Sequence, residues 1–402
     1  MRRIFIALLF INVCISQNDY NVDNIIEIQG VHYKKFSDEI VNGDVFLLNG
    51  DTKIKLGEMV EGKKHGQWTM WYPTGIKESS VNYNMGVIDG SSITYYAGGQ
   101  KKSERNYYNG TLHGISTAWN MTGIKILETN YKMGELDGLF KAYYDDGTLK
   151  AESNYIIGVK NGKHIVWYNN TNKMLEENYV NGLLDGEVIN WNENGNINKK
   201  ESYKLGKRHG LQSEYFENGD IKYEKSYIDD KINGLFITYY DNGKIKSKKN
   251  FVSGEKNGLW EYFSETGSRE LEEQYLNGKK HGVEIVFFDD GNKYVEKNYI
   301  NGKKEGLTII YYKNGQIKSK KNYKNGILNG INSEWYDTGQ KKKVQFYKDG
   351  KENGSWDMWH KNGNKFMNGN FKNGKKDGSW KRWSMDGKIE EDIFYKEGKK
   401  TN

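Results

Sequence analysis

The stretch Gly234-Leu-Phe-Ile-Thr-Tyr-Tyr-Asp-Asn-Gly243, followed by Lys244 to Phe251, decides the fold. It reads as two strands around a turn, because Phe, Ile, Thr and Tyr favour extended backbone while Asp241-Asn242-Gly243 breaks it. The same pattern recurs every 24 residues, without an insertion, from Gly62 to Gly398. Counting Gly62 as position 0, glycine holds +4 in all fourteen repeats, from Gly66 to Gly378. It also holds position 0 except at Asp230, and +13 except at Thr171. Every repeat has an aromatic at +9 and another at +21, as with Tyr239 and Phe251 or Trp383 and Tyr395. Fixed-period self-similarity marks an array whose units pack only on their neighbours, an architecture commonly used as a binding surface or spacer.

Two turn types fit the Asp-Asn-Gly triads. A two-residue loop pairs positions that sum to 25 and throws the +9 and +21 aromatics onto opposite faces. A three-residue loop, a type I turn closed by a left-handed glycine at +13, pairs positions that sum to 24 and gathers all odd positions on one face. That face then collects +5 (Leu139, Leu235, Leu259, Leu307), +7 (Ile93, Ile165, Ile237, Ile309), +9, +15 (Leu149, Ile197, Ile221, Ile245, Ile317) and +21. The even face collects glutamates at +18, such as Glu104 and Glu224, and asparagines at +20, such as Asn82 and Asn298. A one-residue slip scrambles this sorting, so the sequence favours the three-residue register, with Tyr239 opposite Ile245. The second turn is read as the Gly-x-x-x-Gly segment between 0 and +4. Its +3 position is filled mostly by Asn, Asp and His, as in His65, Asp89, His113, Asn233 and His281, and reads as a left-handed or side-chain-capped turn residue. Turn geometry therefore explains these histidines better than metal ligation, which needs several ligands converging on one point.

The expected fold is all-β: an elongated single-layer antiparallel meander of about 14 β-hairpin repeats. At about 4.8 Å between neighbouring strands, some 28 strands make a twisted ribbon roughly 130 Å long. Residues 62–402 form the array, and residues 17–61 leave the grid while echoing its turns at Asn42-Gly43 and Asn49-Gly50. They read as a degenerate strand pair that caps the N-terminal edge. An exposed edge at the other end leaves head-to-tail dimerisation open.

Residues 1–16 read as a secretory signal peptide, with Arg2 and Arg3 before the apolar run Ile4 to Ile11 and small residues towards Ser16. Cleavage near Ser16 places the chain outside the cytoplasm, whether periplasmic, cell-surface or secreted. The rival is lipid attachment at Cys14, the only cysteine. Under either reading the mature chain has no disulfide. The formal net charge of +7 is spread as interspersed Lys and Glu, which reads as a solvated surface rather than a nucleic-acid footprint. Membrane association is disfavoured unless Cys14 is lipidated. No nucleophile elbow, phosphate loop or zinc-ligand spacing rises above the repeat background, so neither catalysis nor a cofactor is expected.

The segment Phe371 to Trp380 (Phe-Lys-Asn-Gly-Lys-Lys-Asp-Gly-Ser-Trp) and Tyr239 to Lys246 (Tyr-Tyr-Asp-Asn-Gly-Lys-Ile-Lys) resemble MORN-type repeats, specifically the bacterial variant found in the YwqK-type antitoxin family. The resemblance implies a hairpin-built elongated sheet used for protein or membrane association, with no catalytic residues. Tyr-Asp repeats of Rhs-type shells and the aromatic hairpins of choline-binding modules share the Tyr and Gly hairpins but lack the Gly-x-x-x-Gly spacing. Function is thus expected to be non-catalytic: a scaffold for an unknown protein partner. A module for cell-wall glycan and an antitoxin or immunity-like partner of a toxin are the alternatives. The candidate contact surface is the +10 aromatic row: Tyr72, Tyr96, Tyr144, Tyr168, Phe216, Tyr240, Phe288, Tyr312 and Tyr336. Exposed aromatics in a line are favoured contact residues, although packing beside the turns to shield lysine stems is the plainer reading of the same rings.

Overall fold

In a computed structural model the described residues are 18–401, so the signal peptide, Cys14 and Ser16 lie outside them. The chain divides into two compact units. One runs to Gly186 and takes in Glu193–Gly195, and the other comprises Glu187–Asn192 and the chain from Asn196 onward.

In the first unit Gly43–Asn49, Thr52–Val60, Lys63–Trp71 and Lys77–Asn84 pair antiparallel in sequence order, and the meander continues in the same way to Lys173–Val180. Two elements have no counterpart in the repeats. Asn18–Asn21 lies parallel to Gly43–Asn49, and Ile25–Ile28 forms a separate hairpin with Val31–Lys34. Together they enclose a hydrophobic core of Tyr20, Val41, Val45, Leu56, Met59 and Trp68. The indole of Trp68 lies flat on Gly57, where a Cβ would come within 2.5 Å of the ring, and its Nε1 donates to the Glu58 carbonyl at 3.0 Å. The second unit is a meander of the same hairpins up to Lys399–Thr401.

The hairpin turn has the expected form. The Tyr240 amide donates to the Lys244 carbonyl, the Gly243 amide donates back to Tyr240, and Gly243 stands at φ 77°. Tyr239 faces Ile245. One step further the register shifts: Thr238 faces Ser247, and Leu235 faces Asn250. Lys246, at +16, is the extra residue of a β-bulge, so every pair beyond it sums to 25. This overturns the parity sorting. The +9 and +21 aromatics point to opposite faces, and the +5 leucines leave the core; Leu235 is 41% exposed. The bulge hands the core to +6, +17, +19 and +21. Trp68, Trp260 and Trp380 at +6 are buried, as are Tyr227 and Tyr275 at +21. Opposite them lies a second face of +5, +7, +9, +15, +18 and +20.

The second turn is also corrected. It is a two-residue type I′ turn made by the residue before each position-0 glycine and that glycine itself, as in Asn109 (φ 45°) and Gly110 (φ 80°). The +4 glycine instead sits in an irregular stretch where three residues, Asn257, Gly258 and Leu259, lie opposite Asn250 alone, between the pairs Phe251 with Lys256 and Lys249 with Trp260. Residues at +3 are not left-handed. Their side chains cap the neighbouring turn, as when the Ser253 amide donates to Asn233 Oδ1 at 3.0 Å and the Asp349 amide to Asn329 Oδ1 at 3.2 Å. The two breaks in the glycine grid keep the backbone of the residue they replace, with Thr171 at φ 70° and Asp230 at φ 67°.

Candidate interaction surfaces

All nine residues of the +10 row are half-buried at the three-residue turns. Six of the seven phenols reach along the sheet to the next repeat. The hydroxyls of Tyr72, Tyr96, Tyr144, Tyr240, Tyr312 and Tyr336 donate to the carbonyls of Tyr95, Trp119, Trp167, Phe263, Trp335 and Trp359 at 2.7–2.9 Å. At this edge of the sheet the row is therefore a chain of staples between repeats. Lys102, Lys150, Lys246, Lys318 and Lys342 stand over five of these rings, so each ring presents one covered face. Phe216 and Phe288 keep the ring without the bond. At the opposite edge the amides of position-0 residues do similar stapling: Gly254 donates to the Ile232 carbonyl and Asp230 to that of Arg208.

The buried face carries runs of stacked aromatics where +6 meets +21. In the second unit Phe251, Trp260 and Tyr275 follow one another at 5.1 and 5.0 Å, and Trp380 lies 5.3 Å from Trp356 and 5.0 Å from Phe371. Lysines at +2 cover the stack, with Lys256 and Lys376 each 4.3 Å from a tryptophan centroid. A desolvated ammonium over an aromatic face is attracted by the ring quadrupole. The +2 slot was not singled out from the sequence, and +6 was read there as a variable slot, with +8, +10 and +16, rather than as core. The available signal was the alternation of Trp and Phe at +6 with polar residues, which parity had assigned to the wrong face.

At one repeat a charged residue, Glu284, takes the +6 place. Glu284 is 5% exposed and accepts from both Lys280 and Lys297, while Lys280 also bonds Glu273 at 2.7 Å. Burial alone would raise the Glu284 carboxyl, but the hydrogen bonds from the two lysines outweigh it and hold the group below its ordinary range. Burial, reinforced by its hydrogen bond to Glu273, pushes the Tyr275 hydroxyl up to about 12. This network is internally satisfied.

A depression of about 400 Å³ opens in the second unit among Phe216, Tyr223, Thr238, Ser247, Lys249 and Tyr262. The Lys249 ammonium stands 5.1 Å from the Tyr262 ring centre and 5.4 Å from that of Trp260, and burial lowers its pKa, helped by the nearby charge of Lys256. The floor is hydroxylated, with Thr238 Oγ1 and Ser247 Oγ 2.7 Å apart. Among the described residues no three His, Cys, Asp or Glu side chains are grouped to hold a metal ion, and no helix is long and apolar enough to cross a membrane.

Seven segments, residues 64–85, 136–156, 184–205, 208–229, 232–253, 280–301 and 304–325, match the MORN repeat variant. Comparison with curated proteins gives no match. Among solved structures, a TcdB2–TccC3 crystal structure aligns over 93% of this chain and 20% of its own, at 11% identity and a TM-score of 0.18. A TcdB2–TccC3–Cdc42 structure aligns over 86% and 23%, at 12% identity and 0.16. The Photorhabdus luminescens Tc holotoxin pore aligns over 89% and 20%, at 10% identity and 0.16. The chain thus spans about a fifth of the length of these structures.

Proposed function

We propose that this MORN-type repeat protein is a non-catalytic scaffold that binds another protein outside the cytoplasm. The supporting observation is a division of labour within the repeat. Glycines, the +9 and +21 aromatics and the +10 hydroxyls recur because they make the sheet. The slots +5, +16, +18 and +22 vary from repeat to repeat on an unchanged backbone, for example at +5 from Lys163 to Leu235 to Ser355. Such a surface can be edited for a partner without refolding. Co-purification of the protein from its native cell, comparing wild type with a Tyr→Phe series at +10 and with Ile115→Ser and Leu139→Ser at +5, outside the aliphatic row Leu211 to Ile331, tests this. The Tyr→Phe series should retain the partner and the +5 series should lose it. Retention by both would reject the variable face as the contact. N-terminal sequencing of the mature protein should begin near Gln17; a retained or lipid-modified start would reject cleavage near Ser16.

A second reading, a cell-wall glycan module, draws on the Tyr223–Tyr262 depression, which pairs aromatic walls with hydroxyls and an ammonium. Wild type should then bind a polysaccharide that Tyr262→Ala does not; no binding to any cell-wall fraction would remove it. An immunity-type role rests on family resemblance alone.

A further inference from the structure

The +5 slot is indifferent to the fold. It holds Gln67, Ser91, Lys163, Glu187, Ser355 and Ser379. Yet between Glu187 and Ser355 it is aliphatic six times in succession: Leu211, Leu235, Leu259, Val283, Leu307 and Ile331. Val283 is half-buried and the other five are 37–59% exposed. Beside this row Ile228, Val252, Leu276 and Ile300 at +22 are 45–52% exposed. Isolated exposed leucines need no explanation, but a bounded double row on one face does.

From this row and the charges beside it, we infer that this face is a two-fold interface between two copies of the chain, with the axis along the strand Arg269–Leu276. Three observations specify a second copy rather than another partner. The first is periodicity: apolar groups spaced one per hairpin, about 9.6 Å apart, are matched along their whole length by a surface of the same period. The second is charge. At +18 the order is Glu224, Lys248, Glu272, Glu296, Lys320. Reversing the order about Glu272 sets Lys248 against Glu296 of the partner subunit and Glu224 against Lys320 of the partner subunit, while Glu272, which would meet its own copy on the axis, is already paired with Arg269 of its own chain. The third is that the apolar slots reverse about the same strand. Leu259 meets Val283 of the partner subunit, Leu235 meets Leu307 of the partner subunit, and Leu211 meets Ile331 of the partner subunit. A strip about 50 Å long and roughly three side chains wide reaches the ~800 Å² per partner of a standard interface. Such a face-to-face contact is isologous, so it closes at two copies.

Sedimentation equilibrium of the full chain tests this. Wild type should have a dimer mass. Leu259→Ser with Val283→Ser, placing a residue the slot already accepts, should give a folded monomer with unchanged far-UV circular dichroism. Lys248→Glu should weaken the dimer at least tenfold, and adding Glu296→Lys should restore it. Ile115→Ser with Leu139→Ser, in the first unit, should leave the mass unchanged. A monomeric wild type at all concentrations, a serine variant that stays dimeric, or a charge reversal without rescue would overturn the proposal.

Discussion

At the scale of single residues, the backbone asks for left-handed conformations that several side chains resist. Ile157 stands at φ 47° and Thr171 at φ 70°, and β-branched residues are poorly accommodated there. Ile157 is 67% exposed, so no packing is lost by replacing it. Ile157→Asn and Thr171→Gly should each raise unfolding free energy by about 1 kcal/mol, measured by urea denaturation. No change at either site would mean that the turns relax without cost. Asp230 is different, because Arg208 holds it: Arg208 Nε bonds Asp230 Oδ1 at 3.1 Å, and the guanidinium lies 4.4 Å from the Tyr227 ring centre. The carboxylate at an exposed turn thus gains a partner that a glycine would not have. Glu284 carries a pH dependence. Because the folded chain holds it below the ordinary carboxylate range, unfolding takes up a proton. Its contribution is complete above the unfolded value of about 4.3 and disappears as pH falls through the folded value. Glu284→Gln should lower stability by about 2 kcal/mol at neutral pH and leave a flatter acid limb, read from denaturation midpoints across that range.

At the scale of the hairpin, most of the path of the chain was legible in the sequence and the sorting of faces was not. The triad Asp241-Asn242-Gly243 announces its turn, and the pair Tyr239 with Ile245 follows from it. The bulge at Lys246 carries no signature of its own, since a bulged residue needs no special side chain, and a single extra residue inverts every assignment beyond it. The type I′ turn could have been found: Asn109-Gly110, Asn181-Gly182, Asn277-Gly278, Asn301-Gly302, Asn325-Gly326 and Asn373-Gly374 are strong hairpin signals. The more conspicuous Gly-x-x-x-Gly obscured them. The +10 tyrosines were read as contact residues, and their bonds to the next repeat are not encoded in any spacing within one repeat. The packing also sets specific sequence limits. A Cβ on Gly369 would come within 2.3 Å of the Trp380 ring, so Gly369→Ala should cost about 1–3 kcal/mol, whereas alanine at the open Gly378 should act only through its φ of +86°. Equal losses at the two sites in thermal melts would count against the ring seat.

For the molecule as a whole, regularity is a constraint on length. Removing the 24 residues 233–256 joins identical slots and should leave a cooperatively folding sheet, whereas removing half that number sets strands in the wrong register. Far-UV circular dichroism and the sharpness of the thermal transition separate the two outcomes; similar behaviour of both deletions would contradict slot-specific packing. The staples along both edges give this a genetic meaning. Each bond joins one hairpin to the adjacent one, so any repeat already holds the groups that its neighbour's neighbour expects. Unequal recombination between repeats would lengthen or shorten the protein in whole periods without creating a mismatched joint. The protein's length is therefore inherited in steps, and the gene can change its reach in a single event.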